Sequence, residues 1–385
     1  MNIIFIAPKI NLSGGGSNSN TDLRIKTLKE SGHNVKIVTL FSKYNKLPEK
    51  NPYEIIPYNK KPKRWIFVNF FVFRILKKYQ KEADLFYLDG PQFLWGAGFY
   101  RLFGKKPIMI HLNVLPYAIL EHGTGLYAEK DIKIPLVKKI KFWIRSKIGG
   151  YIDIYFSNKM DGLTCTSPII REQCIEFGLK ESNLYLLPEF IDTKIFVQNK
   201  SKESLMDTKK NLLYVGRLVP CKGVDLLVKA VGSLKEKGIM LDIVGDGPEL
   251  PRLKSISAAM GLDDYIRFHG WIERDRLREI YSRADIFVHP ARWAEPLGIT
   301  IVEAMAVGLP VIVPKMSGSV WAAGKAGLTF QNGDEQDLKK KIEMLLGNET
   351  LYRKLKAHTE EETRKMDYNK WAGKFENLIT KLAEG

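Results

Sequence analysis

Short apolar runs alternate with longer amphipathic stretches along this chain, in the rhythm of strand, loop and helix. Asn2-Ile-Ile-Phe-Ile-Ala reads as a strand buried on both faces, followed by Asn11-Leu-Ser-Gly-Gly-Gly-Ser and a helix to about Ser31. Lys106-Pro-Ile-Met-Ile-His111 is another short strand, with His111 at its carboxyl end. Leu213-Tyr-Val stops at Gly216, after which Val224, Leu227, Val228 and Val231 keep the spacing of a helix. Leu241-Asp-Ile-Val enters a tight turn at Gly245-Asp-Gly247-Pro. Asp285-Ile-Phe-Val-His-Pro290 is a strand bounded by Asp and Pro. A loop follows, and then Ile299, Val302, Ala306 and Val307 predict a helix packed on a sheet, with Gly298 near its N-cap and Gly308 ending it. In the tail from Asp367, Trp371, Phe375, Leu378, Ile379 and Leu382 again recur at helical spacing.

Chemistry gathers where these strands end. Arg217 and Lys222 fall on the loop at the carboxyl end of a strand, where open α/β sheets bind ligands. A fixed guanidinium and a mobile ammonium suit two linked phosphates. Gly216, Gly245 and Gly247 let the backbone approach a nucleotide closely. Within 292–308, Glu295 and Glu303 flank Pro296-Leu297-Gly298, where the helix begins. Unpaired N–H groups above Gly298, with the positive end of the helix dipole, suit a phosphate. Glu303 is then roughly 6–8 Å along the axis from Gly298, within reach of ribose hydroxyls, and Glu295 on the loop can face a sugar beyond the phosphates. Each piece also has a plain reading, as a solvated charge or a turn. Their joint order and spacing carry the argument.

These segments resemble the carboxyl-terminal domain of the retaining glycosyltransferases of family four, and the resemblance extends over nearly the whole chain. It implies an α/β fold of the GT-B type: two Rossmann-like domains whose parallel sheets face each other across a cleft, with a C-terminal helix crossing back to the first domain. It further implies transfer of a sugar from a nucleotide diphosphate with retention at the anomeric carbon. Carried over residue by residue, Arg217 and Lys222 match the diphosphate-binding pair, Glu303 the ribose-binding acid and Glu295 the acid that contacts the transferred sugar. Gly14, Gly15 and Gly16 match a loop that reaches the donor phosphates or the acceptor, and His111 a histidine near the transferred sugar. Their spacing is not Gly-x-Gly-x-x-Gly, which disfavours an ordinary nicotinamide site. Two departures stand out. Glu189-Phe190 occupies the place of a usual Asn-Gly, and Ser317-Gly-Ser-Val320 lacks the family's paired glycines and Pro-Glu. The second change bears on donor choice.

No Asp-x-Asp, Cys-x-x-Cys or paired-His spacing occurs, so neither a metal nor any cofactor beyond the donor is expected. Cationic side chains and helix N–H groups must then take the leaving-group charge. The resemblance implies front-face attack, in which the departing diphosphate helps deprotonate the acceptor. Glu295 remains open as the nucleophile of a double displacement.

The length of 385 residues suits two domains. The expected division is 1–195, joined by the tail 367–385, and 196–366, with a polar linker beginning at Gln198. The net charge of +17 is uneven, because residues 1–200 hold 31 Lys and Arg against 17 Asp and Glu. Two stretches contain no acid, 55–81 and 132–152, and both are interleaved with aromatics. Lys138, Lys139, Lys141, Trp143 and Arg145 in the second are expected to meet an anionic membrane surface or the acceptor. Residues 65–76 fit equally a core helix with snorkelling lysines. No run reaches the ~18 apolar residues of a spanning helix. The amino terminus lacks a signal-peptide pattern, and Cys165, Cys174 and Cys221 have no framework spacing. A peripheral protein at the cytoplasmic face of the cell membrane is therefore expected, using a UDP- or GDP-sugar and a glycolipid or lipid-linked saccharide. Sugar identity and oligomeric state have no signal. The rival readings are a sugar-nucleotide epimerase or a phosphorylase on the same fold, and a basic nucleic-acid-binding protein. The last lacks any recognition motif.

Overall fold

The computed structural model describes residues 1–10, 17–47, 53–58, 65–115, 148–193 and 210–385. Gly14 to Gly16, Lys138, Lys139, Lys141, Trp143 and Arg145 lie outside the described residues. The chain forms two compact units, one of Met1–Pro188 with Trp371–Gly385 and the other of Glu189–Lys370.

In the first unit β1 (Asn2–Ala7), α1 (Ser17–Glu30), β2 (Asn34–Thr39), β3 (Ile55–Pro57), α2 (Trp65–Tyr79), β4 (Leu85–Leu88), α3 (Leu94–Arg101) and β5 (Ile108–Leu112) follow in order. The helix α4 (148–157) then leads to β6 (Gly162–Cys165), α5 (Pro168–Glu176) and β7 (Leu184–Leu186). The sheet order is β3-β2-β1-β4-β5-β6-β7, with each neighbouring pair parallel. Strands β4, β5 and β6 are buried at every position, as continuous apolar runs predict for a sheet covered on both faces. One row of α2, Val68, Val72, Ile75 and Leu76, joins the core while Phe67 and Phe70 remain exposed, so this basic aromatic segment is at once a core helix and a surface.

The second unit repeats the plan with β8 (Lys210–Val215), α6 (Val224–Gly232), β9 (Ile239–Val244), α7 (Leu250–Ala259), β10 (Ile266–Gly270), α8 (Arg274–Arg283) and β11 (Ile286–Val288). It continues through α9 (Ile299–Ala306), β12 (Val311–Pro314), α10 (Ser317–Ala323), β13 (Gly327–Phe330), α11 (Glu335–Leu346) and α12 (Glu349–Arg364). The parallel order is β10-β9-β8-β11-β12-β13. Leu212 and Tyr214 of β8 enter one core cluster, and Leu213 and Val215 enter the other, so successive side chains feed opposite faces of the sheet. The strand order reverses between β8 and β11, and at such a reversal open α/β sheets bind ligands in the crevice outside the carboxyl ends of the strands.

The last helix, α13 (Tyr368–Glu384), buries Trp371, Phe375 and Ile379. Phe375 meets Tyr87 edge-on at 5.6 Å, and Leu382 fills the space beside Gly162, so the tail completes the first unit. No helix among the described residues is long and apolar enough to cross a membrane.

Candidate active site

Backbone packed on backbone builds the floor of the crevice. Gly216 N donates to Val244 O at 3.0 Å, and Leu218 N donates to Asp246 O at 2.9 Å. Gly245 sits at φ +137°, and a Cβ there would lie 1.8 Å from Gly216 O, so any side chain would force the two loops apart. On the other side, Arg292 N donates to Cys221 O at 2.9 Å, tying the loop after β11 to the turn that carries Lys222. The Arg292 guanidinium grips the buried Asp225 carboxylate with both ends, at 2.5 and 2.7 Å. Burial alone would raise the Asp225 carboxyl, but Arg292 outweighs it and the net shift is downward.

Within this frame Lys222 Nζ donates to Glu295 Oε1, and Trp293 Nε1 donates to the same oxygen at 2.7 Å. The Lys222 ammonium also stands 5.7 Å from the Trp293 ring centre. His289 Nε2 lies 3.6 Å from Glu295 Oε1, beyond hydrogen-bond length, and neither ring nitrogen of His289 has a hydrogen-bond partner. Burial works to raise the Glu295 carboxyl, but His289 and Lys222 outweigh it and hold the group at about 2. Glu295 is therefore ionised at neutral pH. Burial lowers the His289 imidazole, with Glu295 opposing and Lys222 adding to the shift.

Gly298, at φ +81°, caps α9, and Pro296 and Leu297 before it are buried. Glu303 sits within that helix, 2% exposed, and accepts from the Tyr281 hydroxyl at 3.1 Å. Gly318 N donates to Glu295 O at 3.1 Å, and a Cβ on Gly318 would lie 2.0 Å from Pro296 O, so one glycine of 317–320 is required for this contact. Arg217 is exposed at the mouth of the loop, its carbonyl accepting from the Tyr214 hydroxyl at 3.0 Å.

His111 is held differently, at the end of β5 in the first unit. Its Nε2 lies 2.8 Å from the Arg24 guanidinium and its Nδ1 2.8 Å from Thr164 Oγ1. Arginine only donates, so Nε2 must accept and Nδ1 must carry the proton. Burial, and then the Arg24 charge, push the imidazole well below its ordinary value and keep it neutral. Arg24 in turn pairs with Asp89 at 3.2 Å, and Thr21 donates to Asp89 at 2.6 Å.

Lys222, Glu295, Gly298 and Glu303 thus gather with Gly216, Arg217, Gly245 and Gly247 at one strand reversal, whereas His111 belongs to a separate network. Sequence reasoning missed His289, Trp293 and the Arg292–Asp225 clamp. For His289 a signal existed, because it directly follows an apolar strand at the same carboxyl edge as the expected site. For the clamp there was none, since its partners are 67 residues apart.

Two basic residues, a helix N-terminus and a buried, ionised acid thus share the carboxyl edge of the second sheet. The sequence profile described as Glycosyltransferase Family 4 matches residues 14–195, and that described as Glycosyl transferases group 1 matches residues 196–366. The chain belongs to this glycosyltransferase family. It is 26% identical over 332 residues to mannosylfructose-phosphate synthase of Agrobacterium fabrum, covering 80% of this chain and 71% of that protein. It is 33% identical over 173 residues to the GDP-mannose-dependent alpha-(1-6)-phosphatidylinositol monomannoside mannosyltransferase of Mycobacterium tuberculosis, covering 41% of this chain and 45% of the relative. Among solved structures, Anabaena HepE in complex with UDP and glucose superposes with a TM-score of 0.74 at 16% identity, covering 100% of this chain and 99% of that one. This last likeness is one of fold.

Proposed function

We propose that the enzyme moves a hexose from a UDP- or GDP-sugar to a glycolipid or lipid-linked saccharide at the cytoplasmic face of the cell membrane, with retention and without a metal ion. The observation that carries this reading is the pairing of Lys222 with Glu295 beside the N-terminus of α9. Lys222, Arg217 and the N–H groups at Gly298 take the charge of the leaving diphosphate, which removes the need for a metal. Glu303 accepts from the ribose hydroxyls. Gly216, Gly245 and Gly247 keep the floor open to the nucleotide. Glu295, already ionised, orients the transferred sugar. Its Oε1 accepts from Trp293 Nε1, which favours front-face attack over its use as a nucleophile. In that step the acceptor oxygen bonds to the anomeric carbon on the face from which the diphosphate departs. The bonding pair leaves with the diphosphate, and the acceptor proton passes to a phosphate oxygen. His111 is neutral and fixed by Arg24 and Thr164, which suits it to bind rather than to exchange protons.

The membrane part rests on one face of the first unit. Gly96 of α3 packs on Asn69 and Val72 of α2, and Gly98 packs on Phe156 of α4, so the three helices lie side by side. Their outer surfaces expose Phe67, Phe70, Phe99, Tyr151 and Tyr155, and Phe103 is exposed just beyond the end of α3. Exposed Arg74, Lys77, Lys78 and Lys105 lie near them in the chain, and each basic residue near an anionic bilayer contributes about 1 kcal/mol.

The test is incubation with UDP-glucose, UDP-galactose or GDP-mannose and a bacterial lipid extract in EDTA, with the anomeric configuration of the product read by NMR. An α-linked glycolipid from an α-linked donor is expected. An inverted product contradicts retention, loss of turnover in EDTA contradicts metal independence, and donor isomerisation without acceptor indicates an epimerase.

A further inference from the structure

Two bases address one oxygen in the second unit. Lys222 Nζ donates to Glu295 Oε1, and His289 Nε2 waits 3.6 Å from the same atom. Only 3% of the His289 side chain is exposed, yet both ring nitrogens lack a hydrogen-bond partner. The backbone N of His289 donates to Ile312 O at 2.8 Å, so the residue is anchored in the sheet. Gly298 at the start of α9 borders it, since a Cβ there would lie 3.9 Å from Nε2. The charged groups facing the ring are Glu295 and Lys222; the Tyr214 hydroxyl also lies near Glu295, with Arg217 and Cys221 beside that hydroxyl. Unpartnered buried polar atoms are uncommon and call for a cause.

Ligand binding supplies one. Lys222 cannot give its full charge to a diphosphate while it neutralises Glu295, and a buried carboxylate stripped of its cation is strongly disfavoured. We propose that His289 is the reserve counter-ion of Glu295: as Lys222 turns to the diphosphate of an incoming nucleotide sugar, His289 takes one proton from solvent and pairs with the carboxylate in its place. The inference rests on the donor reading of Lys222. In the free protein, burial and the nearby ammonium keep the imidazole neutral. Donor binding draws that ammonium away and brings an anion close, and both changes favour the imidazolium. His289 is thus a positioning residue. It preserves the ionised Glu295 through the exchange of partners and couples donor binding to pH.

Calorimetric titration of the full chain with UDP-glucose and GDP-mannose, in buffers of low and high ionisation enthalpy at one slightly alkaline pH, reads the coupling directly. Both donors are diesters of diphosphate and carry no phosphate proton that titrates near neutrality. The expected result is uptake of about one proton per donor bound, with affinity falling by up to about tenfold per pH unit as pH rises. In His289→Gln the donor is expected to bind more weakly, with no uptake and no pH slope, and thermal unfolding of the free variant checks its fold. Donor binding to the wild type without proton uptake overturns the inference and leaves the donor site standing. Uptake that persists in folded His289→Gln assigns the proton elsewhere and also overturns it. Absence of binding by either donor sinks the donor reading and this inference together.

Discussion

Around His111 and around Glu295 the chain buries polar groups at the carboxyl ends of parallel strands, but the two clusters are finished differently. In the first unit Arg24 spans Asp89 and His111, Thr21 caps Asp89, and Thr164 closes the ring on the other side of the imidazole. Both ring nitrogens are used, one tautomer is fixed, and charge is balanced internally. In the second unit Lys222, Trp293 and His289 converge on a single carboxylate oxygen, and the His289 ring keeps both nitrogens unpartnered. With both nitrogens of its imidazole bonded, the first cluster specifies one arrangement of His111, although Arg24 Nε there is itself without a partner. A network with an unspent base has an alternative state close by, which is what a site that exchanges partners with a ligand requires.

Substitutions should therefore separate the two regions. The largest effect is expected from Lys222→Ala, with transfer lowered about 10²–10³-fold, the scale of losing one preorganised donor to developing charge, and the fold retained. Near-normal turnover in that variant would remove Lys222 from the diphosphate site. Arg24→Met should act on stability instead, costing up to about 3 kcal/mol in urea unfolding because the largely buried Asp89 loses its cation and keeps only the Thr21 hydroxyl. Donor affinity in the second unit should stay as it was, and a selective loss of affinity would erase the contrast. Arg292→Ala opens the clamp on Asp225 and is worth less, about 1–2 kcal/mol, since the guanidinium is partly exposed and screened by water. It should also weaken donor binding by loosening the loops that carry Lys222 and Glu295, as fluorescence titration would register.

The smallest effect is a slope. The Glu295 carboxyl is held at about 2 against an ordinary 4.5, so its contribution to stability is complete above the ordinary value and is lost as pH falls toward 2. Wild type should lose stability more steeply over that acid window than Glu295→Gln. Parallel curves would mean that the ion pair is absent in solution.

Much of this arrangement was legible in the sequence, for local reasons. The β8–loop–α6 unit, the Gly298 start of α9 and the apolar row of α13 each follow from spacing within about a dozen residues. Glu295 and Glu303 were visible because a helix start between them fixes their relation. What stayed hidden is tertiary. Strand-end position located His111, but nothing near it announces Arg24, 87 residues away on α1. Asp225 looks like an ordinary first-turn acid of α6 until Arg292 reaches it. The basic aromatic stretch at 65–76 gave two readings; α2 buries one row, as the core-helix reading requires, and presents Phe67 and Phe70 outward.

The central claim is that a nucleotide diphosphate occupies the crevice between the β8 and β11 loops and is held by Lys222. Thermal unfolding of wild type and Lys222→Ala with UDP, GDP, ADP or TDP tests it most directly. At a hundredfold excess over the dissociation constant, linkage is worth about 2.7 kcal/mol, enough to move the midpoint by several degrees. The account predicts a rise in wild type with UDP or GDP that is largely lost in Lys222→Ala. No rise with any nucleotide, or an equal rise in the variant, would contradict it.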